Sequence, residues 1–300
     1  MRRIVVCLFA ILAATAPIAG AARATHHPLP TVTTSFGQMP KIVFPKTAAP
    51  TELSATVLEA GNGPVVARGD LLVVNYYGQI WRGRVFDTSF SDPVPSGFQI
   101  GVKAVIPGWD KTLVGQRVGS RLLLVVPPID GYGKKGLSKA GITGTDTLVF
   151  VVDLLATYGA NAVGDLNPAV LRIASGGVSV SGAPGTAPTI TIAKGTAEPK
   201  TEETTVLDRG HGALVRRGLV VLQAVIANWQ GKVLFSTWQN KVPAYTTVGI
   251  KSEPTQLDSL VGTPIGSRVL ILVPATPSAA AEAIVVDLVA EPQGTSAQSK

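Results

Sequence analysis

The sequence predicts an α+β protein of two tandem units, each an antiparallel β-sheet with one short helix. Composition supports this. Of 300 residues, 46% are hydrophobic, enough for one large core or two ordinary ones, and 32 glycines and 22 prolines beside many Val, Leu, Ile and Thr favour short strands and turns. Long amphipathic helical patterns are absent. The chain also repeats itself: "VGSRLLLVVP" from Val118 recurs as "IGSRVLILVP" from Ile265, and "VLEAGNGPVVARGDLL" from Val57 as "VLDRGHGALVRRGLVV" from Val206. "LVFVVDLLA" from Leu148 matches "EAIVVDLVA" from Glu282, and "FGQMPKIVFPK" from Phe36 faintly echoes "PGTAPTITIAK" from Pro184. Most of these pairs lie about 147 to 149 positions apart, far beyond a solenoid period, so each unit is a whole domain.

Residues 1–24 have a basic start, an apolar stretch from Ile4 to about Ala16 and small residues ending at Ala22-Arg23-Ala24, the pattern of a secretory signal peptide. The alternative is an uncleaved anchor, although the apolar stretch is short for a span of about 20 residues. Cys7, the single cysteine, lies inside it. The mature chain would therefore carry no thiol, which excludes disulfides, cysteine chemistry and thiolate metal sites. It would keep 23 basic against 19 acidic residues, about +4, and no membrane span. Lys134-Lys135 and Arg216-Arg217 are isolated pairs without the clustered stripe of a nucleic-acid binder.

The first unit is placed at 29–158. "LLVVNYYGQI", "RLLLVVPP" and "TLVFVVDLLA" read as strands, and Pro107 to Gly115 as the helix, with Trp109 and Leu113 on one face. A mixed linker follows at 159–177, then the second unit at 178–290 and a polar tail at 291–300 expected to be disordered.

One pattern misleads. Gly131-Tyr132-Gly133-Lys134-Lys135-Gly136 fits the G-x-G-x-x-G of dinucleotide-binding loops, with Asp153 about 20 residues on. Such glycines must open a helix with the phosphates at its N-terminus. "LSKAGITGTD" is a loop, and the aspartate belongs to "VVDLL", which recurs around Asp287 with no glycine loop before it.

"VVNYYG", "RVFDTSF", "FQIGVKAVIPGWDKTLVGQRVGSRLLLVVPP", "GYG" and "DTLVFVVDLL" together resemble the successive signatures of FKBP-type peptidyl-prolyl cis-trans isomerases, over nearly all of residues 57–156. The resemblance implies an FKBP-like sheet wrapped around its helix, with an apolar pocket between them. It implies that Trp109 forms the pocket floor, that Tyr76, Phe86, Val105, Ile106 and Phe150 form the wall, and that Phe98 packs nearby. Ile142 matches an apolar lip residue. Tyr76, Asp87 and Tyr132 are the candidate catalytic residues, with the Ile106 N–H and the Tyr132 hydroxyl orienting substrate carbonyls. Asp87 would order Tyr76 or face the twisted carbonyl carbon; without the flanking motifs it would read rather as a turn or Asx cap. The implied partners are proline-containing polypeptides and a macrolide ligand, with no cofactor and no metal.

Departures from the family are Ser96, where an aromatic usually precedes "F-x-I-G", Leu137 after "GYG", and "AGITGTD" in place of a Pro-rich loop tip. Aligned by the repeats, the second unit sets Val225 against Tyr76, Ser236 against Asp87, Gln256 against Trp109 and Ile284 against Phe150, with Phe235 at the Phe86 position. It reads as a degenerate, noncatalytic copy. Trp229 and Trp238 form either a replacement binding surface or ordinary packing.

The leading reading is a secreted prolyl isomerase acting on exported chains. Its rival is a noncatalytic peptide- or partner-binding protein of the cell envelope. With only His26, His27 and His211, a Ser-His-Asp hydrolase or a His-rich metal site has little to draw on.

Overall fold

A computed structural model describes residues 28–166, 173–175, 177–250 and 255–292. The expected signal peptide and nearly all of the expected tail lie outside the described residues. Eight strands come first: β1 (Thr31–Val32), β2 (Ile42–Val43), β3 (Ser54–Glu59), β4 (Leu71–Ile80), β5 (Val85–Thr88), β6 (Ser96–Gln99), β7 (Arg121–Val126) and β8 (Leu148–Tyr158). A single α-helix, α1 (Pro107–Thr112), stands between β6 and β7. Six strands make one sheet in the order β3-β7-β8-β4-β5, with β6 also on β4, every pair antiparallel.

The continuous apolar run of β7 follows from cover on both faces. Successive side chains alternate sides. Leu122, Leu124 and Val126 point into the cluster containing Trp109 and Leu113, while Leu123 and Val125 face Leu29, Val32, Ile42 and Phe44 of the β1-β2 hairpin segment. The hairpin is tied down by one buried ion pair. Arg121 Nε lies 2.6 Å from Asp153 Oδ1, both side chains fully buried, and its remaining N–H groups donate to the Thr34 and Gln38 carbonyls at 2.8 Å. Asp153 also accepts from the Gly37 N–H at 2.7 Å. Burial pushes the Asp153 carboxyl up, while the Arg121 hydrogen bond and the Gly37 N–H pull it down. The aspartate that imitated a ribose contact is thus a clamp within the fold.

Nine further strands follow: β9 (Ile173–Ser175), β10 (Val178–Ser181), β11 (Thr189–Ile192), β12 (Glu203–Asp208), β13 (Gly218–Asn228), β14 (Val233–Ser236), β15 (Ala244–Val248), β16 (Arg268–Val273) and β17 (Glu282–Ala290). The second large sheet runs β12-β16-β17-β13-β14 with β15 on β13, the strand order of the first. Its clamp is equivalent. Arg268 Nε is 2.6 Å from Asp287 Oδ1, and its other N–H groups bind the Gly182 and Thr186 carbonyls of the β10-β11 connection. Where the first unit has α1, the second has a 3-10 turn, Thr255–Leu260. A short helix α2 (Thr237–Asn240) follows β14, capped by Ser236, whose Oγ accepts from the Gln239 N–H at 3.3 Å.

Pairing corrects the alignment of the two units by one residue. Asn75 opposes Asp153 and Gln223 opposes Asp287, so Ala224, not Val225, stands where Tyr76 does. Ser89 Oγ accepts from the Tyr76 N–H, and Thr237 Oγ1 accepts from the Ala224 N–H, in agreement. Phe235, not Ser236, then takes the Asp87 place, and Leu234 that of Phe86. Asp110 accepts from the Gly101 N–H as Asp258 does from Gly249, which puts Leu257, not Gln256, at Trp109. At Tyr76 and Asp87 the slip arises because Asp70, between Gly69 and Leu71, has no counterpart between Gly218 and Leu219; at Trp109 it runs the other way, because the segment from Asp110 to Gly115 is one residue longer than that from Asp258 to Gly262.

Part of the expected linker belongs with the second unit. Ala160 O accepts from Gln223 Nε2 at 2.9 Å, Asp165 O accepts from the His211 N–H at 3.1 Å, and β9 adds a third strand to β10 and β11. The two units meet through like positions: Leu71 and Val73 of β4 pack with Leu219 and Val221 of β13, and Leu155 with Val289.

Candidate active site

The site is an open cavity of about 640 Å³ between the first sheet and α1. Its floor is Trp109, 6% exposed. Pro107 opens α1 at a position where no N–H is needed. Gly108 follows because a Cβ there would lie 2.8 Å from Val126 Cγ1, so only glycine lets the helix seat this low on β7. Asp110 receives the Gly101 and Lys103 N–H groups at 2.7 Å each, fixing the loop that leads into the helix.

Aromatic rings close around the indole. Tyr76 and Phe150 meet it edge to face, with centroids 5.5 and 5.3 Å away, and Phe98 lies tilted at 5.0 Å. Phe86 packs edge-on to Phe150 at 5.6 Å, possible because Gly78 leaves the space: a Cβ there would stand 2.7 Å from Phe86 Cζ. Strand alternation explains the cast. Tyr76 of β4, Phe98 of β6 and Phe150 of β8 sit on the face that carries Leu72, Val74 and Leu124.

Polar groups are few and placed at the rim. The Tyr76 hydroxyl donates to Asp87 Oδ2 at 2.5 Å. Burial raises the Tyr76 pKa above its ordinary value, and the hydrogen bond to Asp87 adds to that. Tyr132 is half-buried, its pKa raised by desolvation and then by the Asp87 charge. The turn that carries it is held by Lys111 Nζ, 2.6 Å from Asp130 Oδ1. Gly133, at φ 62°, lets the chain reverse directly behind it. Among the described residues the Ile106 N–H has no acceptor within the chain, whereas its carbonyl binds the Trp109 N–H of α1.

Nine of the ten expected site residues line this cavity: Tyr76, Phe86, Asp87, Phe98, Val105, Ile106, Trp109, Tyr132 and Phe150. Ile142 does not. It is 4% exposed in the apolar cluster beneath, because it exchanges backbone hydrogen bonds with Leu137 at 2.9 and 3.0 Å and the loop folds inward. Lining residues that sequence reasoning did not name as site residues are Ser96, Gly97, Ala104, Pro107, Gly131 and, from the second unit, Tyr245.

A model of the FKBP-type peptidyl-prolyl cis-trans isomerase family matches residues 63–155. An FK506-binding protein of Streptomyces anulatus is 36% identical over 120 residues, which make up 40% of this chain and 97% of that protein. The chain belongs to the FKBP-type peptidyl-prolyl cis-trans isomerase family. The isomerase FKBP15-1 of Arabidopsis thaliana is 42% identical over 31% of this chain and 60% of its own length. FkpA of Escherichia coli, named as an FKBP-type isomerase, is 41% identical over 35% of this chain and 37% of its own. The family match ends at Leu155, within β8, so the second sheet lies outside the residues matched by the family model.

The second sheet has its own cavity of about 370 Å³ at the equivalent place. Ala224, Thr246, Leu257 and Ile284 line it where the first unit has Tyr76, Phe98, Trp109 and Phe150, and Phe235 stands for Asp87. Trp229 packs under β10 and β11 with Nε1 donating to the Thr196 carbonyl, and Trp238 packs against the same cluster; neither lines this cavity.

Proposed function

We propose that the first unit isomerises X-Pro bonds in exported polypeptides and that the second unit, a degenerate copy of the same domain, is noncatalytic. The carrying observation is the Tyr76–Asp87 pair beside the Trp109 floor, in a cavity that Tyr132 and Ile106 also line. Rotation about an X-Pro amide is opposed by resonance, a barrier of about 18–20 kcal/mol, and no bond has to break. A nucleophile is unnecessary. Each tenfold acceleration needs about 1.4 kcal/mol of preference for the twisted amide over the planar forms.

The twisted amide has less charge separation than the planar one, so an apolar aromatic cavity favours it. The pyrrolidine ring fits over the Trp109 indole between Tyr76, Phe98 and Phe150. The Ile106 N–H, lacking an internal acceptor, binds one substrate carbonyl, and the Tyr132 hydroxyl another. Asp87 orders the Tyr76 ring through its hydroxyl and presents a carboxylate oxygen toward the twisted carbonyl carbon. Export rests on the signal-like residues 1–24. Among the described residues no helix is long and apolar enough to cross a membrane.

A protease-free isomerisation assay on an X-Pro peptide, with FK506 titrated in, tests the reading. The expected result is turnover that the macrolide inhibits and that Trp109→Ala abolishes. Turnover unchanged in both Trp109→Ala and Tyr132→Ala would refute the assigned roles.

A further inference from the structure

The second unit contributes a residue to the first unit's pocket. In β4, Leu72 and Val74 face the pocket cluster, while Leu71 and Val73 face the second unit. β6 follows the same alternation: Phe98 opposes Leu72, and Gly97 opposes Val73, so Gly97 lies on the inter-unit face. In β13, Val221 reaches back across that interface, and its partner on β15 is Tyr245. Cross-strand partners share a face, so Tyr245 also points at the first unit. Its ring lies over Gly97, where an added Cβ would stand 3.1 Å from three ring carbons, and it lines the isomerase cavity beside Ser96 and Phe98.

Gly97 and Tyr245 hold equivalent register positions in the two sheets, opposite Val73 and Val221. The contact is therefore built from like faces with one asymmetry, a bare backbone on one side and a phenol ring on the other. The family places an aromatic near this rim, where this chain has Ser96, too small to extend the wall. Resting on the isomerase reading above, we infer that Tyr245 is a specificity-determining residue: its ring supplies the missing wall and contacts the substrate residue adjoining the proline. Apolar packing of Leu71 and Val73 against Leu219 and Val221 holds the ring in place.

The test uses the full chain and two X-Pro peptides, one with a large apolar residue before the proline and one with alanine there. Turnover and peptide Kd are both measured for wild type, Tyr245→Ala, Tyr245→Phe and Gly97→Ala. Tyr245→Ala is expected to raise KM and Kd for the bulky peptide about three- to tenfold, with kcat nearly constant and the alanine peptide little affected. Tyr245→Phe retains wild-type values, and Gly97→Ala, whose Cβ at 3.1 Å shifts the ring slightly without removing it, changes the KM and Kd ratios in the same direction but less than Tyr245→Ala does. Adding Ser96→Phe to Tyr245→Ala restores discrimination, which a merely loosened interface would not allow. Equal KM and Kd ratios for the two peptides in wild type and Tyr245→Ala would overturn the inference. A wild-type chain that binds both peptides without turning either over would refute the isomerase reading, and the Kd ratio would still decide the role of Tyr245.

Discussion

The two large sheets have the same strand order and the same buried Arg–Asp clamp, yet only one cavity keeps aromatic walls and a Tyr–Asp pair. Where the first unit has Tyr76, Asp87, Phe98 and Trp109, the second has Ala224, Phe235, Thr246 and Leu257. Residues that hold the sheet together are thus separable from residues that would act on a substrate. The scaffold needs alternation, the clamp and glycines at close approaches. The pocket needs specific rings and hydroxyls that the scaffold does not demand.

The largest effects should come from what the units share. Removing one partner of a buried ion pair strands the other charge, which costs about 3–5 kcal/mol. Asp153→Ala and Asp287→Ala should each lower stability by about that much in urea unfolding, with the hairpin over the same sheet becoming protease-sensitive. If only one of them destabilised its unit, the two clamps would not be equivalent.

Pocket exchanges come next. Trp109→Leu, which copies the second unit, should lower kcat/KM about 10- to 100-fold, whereas Leu257→Trp should create no turnover because Ala224 and Phe235 provide no hydroxyl–carboxylate pair. Tyr76→Phe should cost less, about three- to tenfold, since the ring stays and only its tie to Asp87 is lost. Smallest is the response to pH. Both Tyr76 and Tyr132 have raised pKa values, so their hydroxyls stay protonated beyond the ordinary tyrosine value of about 10, and kcat/KM should be flat from pH 6 to 9.5. A decline centred at or below 9.5 would show that one of them ionises in a more polar setting.

Much of this was legible in the residues. Apolar runs such as "RLLLVV" announced buried strands, and the ordered segments from "NYYG" to "LVFVVD" named nine of the ten lining residues expected. Two things were not legible. The one-residue slips between the units are invisible without hydrogen bonds, because the deletions opposite Asp70 and between Asp258 and Gly262 fall at turns whose flanking residues align almost equally well either way. The lining role of Tyr245 depends on how two sheets pack: "PAYTTVG" matches "PSGFQIG" of the first unit and sets Tyr245 against Gly97, but nothing in either segment says that the ring reaches the other unit's pocket. The burial of Ile142 in the cluster that also holds Trp109 and Phe150 was not legible either, because it goes with paired backbone bonds to Leu137.

The central claim is that turnover resides in the first cavity alone. The most direct test is isomerisation by the full chain carrying Tyr76→Ala, Asp87→Phe and Trp109→Leu together, beside a chain carrying Phe235→Ala, with circular dichroism confirming that both are folded. Loss of all measurable turnover in the triple variant and full turnover in Phe235→Ala is the predicted result. A folded triple variant that keeps more than about a tenth of wild-type kcat/KM, beyond the roughly 1.4 kcal/mol such a factor represents, would contradict it.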